Sequence, residues 1–221
     1  MKMQEGKMRI ELRDYTKTIK GVNVLEDVNL TMESGKIYGL SGVNGSGKTM
    51  LMRAISGLIL PTKGKALIDG KELGKDISFP ESVGIMLENP EFVSSYTGFK
   101  NLKMIAAIKN KINDEQIKEA IRETGLNPDD ERTFKKYSLG MKKKLGIACA
   151  IMEDPELIIV DEPTNALDEQ GVGMVIRLMQ KYRDKGALII LSCHDKDQLS
   201  YLSDEIIEIY EGRITNRTVV G

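Results

Sequence analysis

The sequence of 221 residues predicts an α/β fold with a mainly parallel β-sheet. Short apolar runs that are typical of buried strands alternate with segments whose apolar residues recur at helical spacing. The clearest apolar runs are residues 36–40, 83–87, 157–161 and 187–192. Such alternation joins parallel strands through crossover helices. Since the sequence contains no internal repeat and no linker-like tract, we expect a single domain over residues 1–221.

The N-terminal part of the chain has a different pattern. Between about residues 9 and 40, apolar residues such as Ile10, Leu12, Val28 and Leu30 alternate with polar ones, and turn residues separate the runs. A period of two predicts short strands with one buried face. We therefore expect an antiparallel β subdomain that precedes the parallel core.

Helical patterns dominate the middle of the chain. Segments at about residues 99–110 and 114–124 follow the predicted strand 83–87, and a third helix should begin at Ser138. The second segment has Asn113 at its N-cap position and Gly125 just past its end, as helix termini prefer. These helices predict an inserted α-helical subdomain over approximately residues 89–152. A helix at 171–184 and a C-terminal hairpin that turns at residues 211–212 complete the pattern.

Composition limits the classes of partner. The chain carries 32 Lys and Arg residues against 33 Asp and Glu residues, a formal net charge of −1. This balance argues against bulk electrostatic attraction to nucleic acid, and no nucleic-acid partner is expected. Residues 142–144 are three lysines, with Lys135 and Lys136 nearby. We interpret this basic cluster as a solvated helix face, and binding of nucleic acid or anionic lipid head groups is the least supported alternative. No apolar run approaches the roughly 20 residues needed to cross a bilayer, so any membrane role should come through a partner protein.

The most informative segment is residues 42–49, with the sequence Gly-Val-Asn-Gly-Ser-Gly-Lys-Thr between a predicted strand and a predicted helix. The glycines let the backbone wrap around phosphate oxygens, and the helix N-terminus adds partial positive charge. In this pattern Lys48 reaches the β- and γ-phosphates, and the Thr49 hydroxyl binds Mg²⁺. The strand–loop–helix context disfavours a simple Gly-rich turn. We predict a nucleoside triphosphate site formed by Gly42, Asn44, Gly45, Ser46, Gly47, Lys48 and Thr49.

A second segment, residues 157–162, is an apolar strand that ends in two acids. Asp161 is placed to hold the Mg²⁺ shell, as P-loop enzymes require. Glu162 is placed to polarise a water molecule for attack on the γ-phosphate. The alternative is a buried strand with a capping acid, which the phosphate-binding segment upstream makes less favourable.

With both segments in place, the chain resembles the nucleotide-binding subunit of ABC transporters over essentially its whole length. Residues 161–168 match the Walker B and D-loop run, with Asp168 as the D-loop aspartate. Residues 192–195 match the switch-histidine segment, and His194 is the only histidine in the chain. The position of the signature motif, usually Leu-Ser-Gly-Gly-Gln, is occupied by Ser138, Leu139, Gly140 and Met141. A similar Ser-Leu-Gly-Met variant is familiar among bacterial exporters of bacteriocins and peptide antibiotics.

This resemblance implies a P-loop NTPase core that uses ATP and Mg²⁺, with Glu162, Lys48 and His194 as catalytic residues. It also implies that the Ser138 segment acts in trans, facing the γ-phosphate that an opposite subunit holds. The implied partners are a membrane-spanning permease subunit and a second copy of this chain or a related ATPase chain. The implied location is the cytoplasmic face of the cell membrane.

Three features depart from the family pattern, and the first is the pair Leu139 and Met141 in the signature segment. Glu88 stands where the Q-loop glutamine is expected. Its carboxylate can also bind Mg²⁺, but it brings negative charge close to the γ-phosphate, so hydrolysis should be slow or depend on a docked partner. Ile19 aligns with the aromatic residue that usually stacks on adenine. Tyr15 should face the core, unless a register shift brings its ring over the base. A strong preference for adenine is therefore not expected.

These departures keep other functions open. The leading hypothesis is the motor subunit of an exporter, working as a homodimer or a heterodimer. A non-transport ABC-type ATPase, for example one used in cofactor assembly, is the first alternative. A degenerate regulatory subunit is the second, because Glu88 and Leu139 depart from the pattern. The apolar residues Phe92, Val93, Tyr96 and Phe99 are either core residues or part of a docking surface for the permease.

Overall fold

The fold is known from a computed structural model that describes residues 8–193 and 195–220. The strands are β1 (Arg9–Ile19), β2 (Val22–Glu33), β3 (Ile37–Ser41), β4 (Lys63–Ile68), β5 (Lys71–Glu72), β6 (Val83–Met86), β7 (Leu157–Val160), β8 (Leu188–Ser192), β9 (Glu205–Tyr210) and β10 (Arg213–Val219). The helices are α1 (Lys48–Ile55), α2 (Gly98–Lys109), α3 (Asp114–Glu123), α4 (Leu139–Ile151), α5 (Glu169–Asp184) and α6 (Lys196–Leu202), and a 3₁₀ turn spans Phe134–Lys136.

The strands form two sheets. The larger sheet has six strands in the order β10-β9-β3-β8-β7-β6, in which only β10 runs antiparallel to its neighbour. The smaller sheet has the order β2-β1-β4-β5, and its strands are antiparallel throughout. The predicted α/β fold, with a mainly parallel core and an N-terminal antiparallel part, is confirmed.

The parallel sheet is buried on both faces. Alternate residues of β7 enter opposite cores: Ile158 and Val160 pack on the side of α4 and α5, while Leu157 and Ile159 pack towards α1 and the antiparallel sheet. Strand β8 divides in the same way. Alternation arises because successive side chains of a strand point to opposite faces. This burial holds the carboxyl end of β7, where Asp161 follows, in a fixed position.

The antiparallel strands correct one prediction, because they are long rather than short. Strands β1 and β2 have 11 and 12 residues. Register shifts on both sides of Tyr15 interrupt their pairing. These irregularities move side chains away from the period of two, so that Leu25 and Val28, three residues apart, are both buried. A bulge of this kind re-aims side chains without ending the strand.

The three helices α2, α3 and α4 follow β6 as predicted. Asn113 forms a capping box with Gln116 at the start of α3, and Ser138 caps α4. The boundaries of the helical subdomain at about residues 89–152 remain a prediction. Among the apolar residues near its start, Phe92 and Phe99 pack against the core, and the ring of Phe92 meets that of Phe134 at 5.2 Å. No helix in the described part of the chain is long and apolar enough to cross a membrane.

Candidate nucleotide-binding site

The loop between β3 and α1 has backbone conformations that only glycine adopts easily. Gly42 has a φ of 153°, and a Cβ there would lie 2.3 Å from the carbonyl oxygen of Ile209. Gly47, with a φ of 114°, precedes α1 and provides no side-chain cap. The first N–H groups of α1 are therefore left for an external anion, since helix N-termini attract negative charge.

Lys48 lies inside this loop and is only 8% exposed. Its ammonium donates to the carbonyl oxygens of Gly42 at 2.6 Å and Val43 at 3.1 Å. The Ser46 hydroxyl is buried and has no hydrogen-bond partner among the described residues. The loop is anchored from outside by the hairpin turn between β9 and β10, where Gly212 donates to the Ser46 carbonyl at 2.8 Å.

Asp161 follows β7 and accepts two hydroxyl hydrogen bonds. Thr49 Oγ1 donates to Oδ2 at 2.7 Å, and Ser192 Oγ donates to Oδ1 at 2.5 Å. The carboxylate is thus oriented on both sides although Asp161 is only 6% exposed. A hydroxyl and a carboxylate, completed by substrate phosphates, are the donor set that Mg²⁺ prefers. The residues present therefore fit a magnesium ion.

Glu162 is held in an unusual backbone conformation, with a φ of 50°. Its N–H donates to Ser192 Oγ at 3.0 Å, and its Oε2 accepts from Asn165 Nδ2 at 2.5 Å. Residues with positive φ other than glycine are uncommon and persist where surrounding contacts require them. Ser192 connects the two acids, because it donates to Asp161 and accepts from Glu162. The sequence segment 192–195 drew attention to His194, but His194 lies outside the described residues.

Glu88 has its side chain turned towards α1. Its Oε1 lies 2.7 Å from Arg53 Nη2, in a pair whose side chains are 63% and 37% exposed. The structure therefore does not bring the Glu88 carboxylate together with Thr49 and Asp161, as a shared metal site would require. Glu88 still borders the same cavity, and its φ is 61°.

One cavity of about 1170 Å³ gathers the loop, Asp161, Glu162 and Glu88. Its walls also include residues to which the sequence assigned no binding role: Gly21, Val22, Asn23, Val24, Glu26, Asn89 and Lys143. Lys143 corrects a prediction, because it is 4% exposed and is not part of a solvated face. Burial lowers the pKa of its ammonium, and the carboxylates of Glu162 and Asp161 oppose that shift.

Comparison with known proteins identifies the family. A sequence profile of the ABC transporter family matches residues 25–165. The chain belongs to the ABC transporter family. An uncharacterized ABC transporter ATP-binding protein of Bacillus subtilis, YybJ, is 46% identical over 205 residues, which cover 93% of this chain and 94% of the relative.

Two relatives of this ABC protein have names that state a transported class. The bacitracin transport ATP-binding protein BcrA of Enterococcus faecalis is 36% identical, over 96% of this chain and 70% of the relative. The lantibiotic transport ATP-binding protein SrtF of Streptococcus pyogenes is 31% identical, over 93% and 88%. The resemblance to bacteriocin and peptide-antibiotic exporters is consistent with these names.

Solved structures agree with the fold. The ATP-binding subunit of an ABC transporter superposes with a TM-score of 0.85 at 28% identity, over 96% of this chain and 90% of that chain. The cassette MJ0796, in a dimeric post-hydrolysis state bound to ADP and Pi, superposes with a TM-score of 0.87 at 21% identity, over 96% and 99%. Membership of this family, whose cassettes hydrolyse ATP, makes the chain an ATP-binding ATPase.

On the base side of the ABC site, the prediction that Tyr15 faces the core is confirmed, and the nucleotide-binding roles suggested for Tyr15 and Ile19 are not supported. Tyr15 is fully buried, and its hydroxyl donates to the Ile59 carbonyl at 3.0 Å, so the suggestion that its ring lies over the base is wrong. Burial also raises the pKa of its phenol. Ile19 is 40% exposed at the end of β1 but is not among the residues that line the cavity. Its strand partner Val22 does line the cavity.

The signature segment of this ABC protein begins α4. Ser138 Oγ accepts from the N–H of Met141 at 3.2 Å, and the neighbouring Leu139 is 56% exposed at the cavity edge. A Cβ on Gly140 would lie 3.0 Å from the Ala166 carbonyl, so the segment packs closely on the D-loop. Asp168 caps α5 by accepting from the N–H of Gly171 at 2.8 Å. Ser138 and Asp168 therefore serve as helix caps within the single chain.

Proposed function

We propose that this chain is the motor subunit of an ABC exporter, which dimerises head to tail around two Mg·ATP and drives a separate membrane-spanning permease. The observation that carries the proposal is the convergence of Lys48, Thr49, Asp161 and Glu162 on one cavity. Thr49 and Asp161 are 112 residues apart in the sequence, and the parallel sheet brings the carboxyl ends of β3 and β7 to the same edge, with β8 between them.

Binding would begin at the phosphate loop. The Lys48 ammonium exchanges its two main-chain carbonyl partners for β- and γ-phosphate oxygens, which are stronger acceptors because they are charged. The exposed N–H groups at the start of α1 receive the remaining phosphate oxygens. Thr49 and Asp161 would hold Mg²⁺, with Glu88 as a further ligand once its carboxylate leaves Arg53. When bound, the metal neutralises charge on the phosphate oxygens.

Hydrolysis would depend on Glu162. Its carboxylate orients and polarises a water molecule for attack on the γ-phosphate, and the hydrogen bond from Asn165 fixes the direction of that carboxylate. We assign His194 the role of γ-phosphate sensor on the family resemblance. Little covalent chemistry is asked of the protein, since positioning and charge stabilisation account for most catalysis of phosphoryl transfer.

Dimerisation would complete the site. Ser138, Leu139, Gly140 and Met141 would face the γ-phosphate held by the opposite chain, with Asp168 near the dimer axis. The support is that Ser138 is exposed at a helix N-terminus, where an anion is favoured. ATP binding closes such a pair, and hydrolysis reopens it, which moves the permease between its states.

The partner and the direction of transport rest on the relatives. BcrA and SrtF carry names of transport ATP-binding proteins for bacitracin and a lantibiotic. We therefore propose export of an antibiotic-like peptide through a permease, at the cytoplasmic face of the membrane, with no nucleic acid involved. A degenerate regulatory subunit is the competing function, and the Arg53–Glu88 pair favours it, because that pair withdraws a metal ligand from the site.

Phosphate release by the purified chain, compared with Glu162→Gln, separates these functions. Loss of a general base should lower kcat by roughly 10²–10⁴-fold, while binding of a fluorescent ATP analogue is retained. Glu131→Gln, which makes the same change at an exposed position, should behave as the unaltered chain. Turnover that is absent from the unaltered chain, or equal in Glu162→Gln, would contradict the proposal.

A further inference from the structure

Lys143 is the middle one of three consecutive lysines on α4, and it is the one that faces inwards. Its neighbours Lys142 and Lys144 are half-buried, whereas Lys143 is 4% exposed and borders the nucleotide cavity. Each residue of a helix is rotated by about 100° from the one before it, so three successive lysines cannot share one face. Its environment therefore differs from that of the other two.

The Lys143 ammonium joins two distant segments of the site. It donates to the carbonyl oxygen of Glu88 at 3.2 Å and to that of Asp161 at 3.5 Å. Glu88 follows β6 and Asp161 follows β7, and both residues carry proposed metal ligands. The contact therefore links α4 to the carboxyl ends of two neighbouring strands.

The hydrogen bond from Lys143 to the Glu88 carbonyl restrains a residue whose backbone is strained. Glu88 has a φ of 61°, a conformation that requires support from its surroundings. The pair between Glu88 and Arg53 is exposed, and such surface ion pairs contribute little to stability. The hydrogen bond from Lys143 is part-buried and charge-assisted, which makes it the stronger restraint.

A buried ammonium is unfavourable in a protein interior unless it is well paired. A methionine or leucine at this position would pack on α4 without that penalty. Lys143 has three N–H groups, of which two donate to carbonyls in the described part of the chain. Lys143 also lines the cavity in which the triphosphate would lie. Its charge would also offset the negative charge that Glu88 adds.

We propose that Lys143 is a positioning residue for ATP hydrolysis, which holds the Glu88 segment against the end of β7 and supplies a fixed positive charge beside the triphosphate. The second claim, a positive charge beside the triphosphate, rests on the proposed function. The first claim, the restraint on the Glu88 segment, does not. The restraint on residues 87–93 belongs to the nucleotide-free chain and is measurable without turnover.

The test compares Lys143→Met with Lys142→Met, a matched loss of charge on the neighbouring residue. Lys143→Met should speed amide hydrogen exchange of residues 87–93 in the nucleotide-free protein, and Lys142→Met should leave it unchanged. The Mg²⁺ concentration for half-maximal phosphate release should rise roughly tenfold in Lys143→Met, as expected for residues that support metal ligands. If Lys143→Met does not fold, Lys143→Gln, which keeps N–H donors without the charge, should shift both readouts in the same direction.

Unchanged exchange in the Lys143 variant would overturn the inference. Faster exchange with an unchanged Mg²⁺ requirement would make Lys143 a structural residue only, and would overturn the positioning role. An unaltered chain that does not hydrolyse ATP would contradict the proposed function instead, and the exchange measurement would still decide whether Lys143 restrains the segment.

Discussion

At the scale of residues, several non-glycine residues with positive φ border the cavity. Glu88, Glu162 and Ala166 all have positive φ values between 50° and 63° and all line the cavity. Strained non-glycine residues persist where the surroundings hold them in place, and they cluster at functional sites. Each of these residues follows or lies near the carboxyl end of β6 or β7, where the strands deliver side chains to the nucleotide.

The base side of the cavity leads to a prediction about selectivity. Val22, the strand partner of Ile19, lines the cavity, and no aromatic residue lines it in the described part of the chain. We expect ATP and GTP to bind with dissociation constants within about threefold of each other, since stacking supplies roughly 1–3 kcal/mol per base when an aromatic ring is present. Isothermal titration with both nucleotides measures this.

Val22→Tyr should tighten the binding of both nucleotides by roughly fivefold or more, because it introduces a stacking surface. The control is Val219→Tyr, which should change neither dissociation constant. Val219 is exposed at the end of β10 and is not among the residues that line the cavity. A tenfold or larger preference of the unaltered chain for ATP would mean that hydrogen bonds to the base, rather than stacking, select the nucleotide.

The phosphate loop could be predicted from the sequence because its residues are consecutive and each has a defined role in binding phosphate or metal. The positions of Lys143 and Val22 at the cavity could not be predicted. The role of Lys143 depends on which side of α4 packs inwards, and that of Val22 depends on the irregular pairing of β1 with β2. Both depend on tertiary packing, which a local pattern does not specify.

At the scale of elements, two helix caps can be compared to separate the contribution of capping to stability from a role in nucleotide binding. Asn113 and Ser138 each accept a hydrogen bond from the backbone of the third helical residue. Replacing either one by alanine should lower the free energy of unfolding by about 1 kcal/mol, which urea denaturation measures. Only Ser138→Ala should also lower ATP turnover, because only Ser138 is proposed to face a nucleotide.

Equal turnover in the two alanine variants would show that Ser138 is a cap alone, and would remove the support for a second anion site at α4.

Strands β7 and β8 were the elements easiest to predict, since every residue in them is buried and apolar or small. The antiparallel strands were harder, because bulges changed which residues face the core.

At the scale of the whole molecule, the fold brings the two ends of the sequence to one site. The turn between β9 and β10 bonds to the phosphate loop through Gly212 and Ser46, and Glu26 of β2 donates to the Gly212 carbonyl at 2.9 Å. We propose that ATP binding brings two such chains together as a dimer. The signature segment and Asp168 act only as caps in one chain, so their proposed binding roles require that partner.

The most direct test is the solution mass of Glu162→Gln, measured by multi-angle light scattering with and without Mg·ATP. The substitution should retain ATP binding and remove the general base, so that a closed pair accumulates. If the chain forms an ATP-dependent homodimer, its mass should be 24.6 kDa without nucleotide and twice that value with Mg·ATP. A chain that binds ATP and keeps the mass of one subunit would contradict the homodimer.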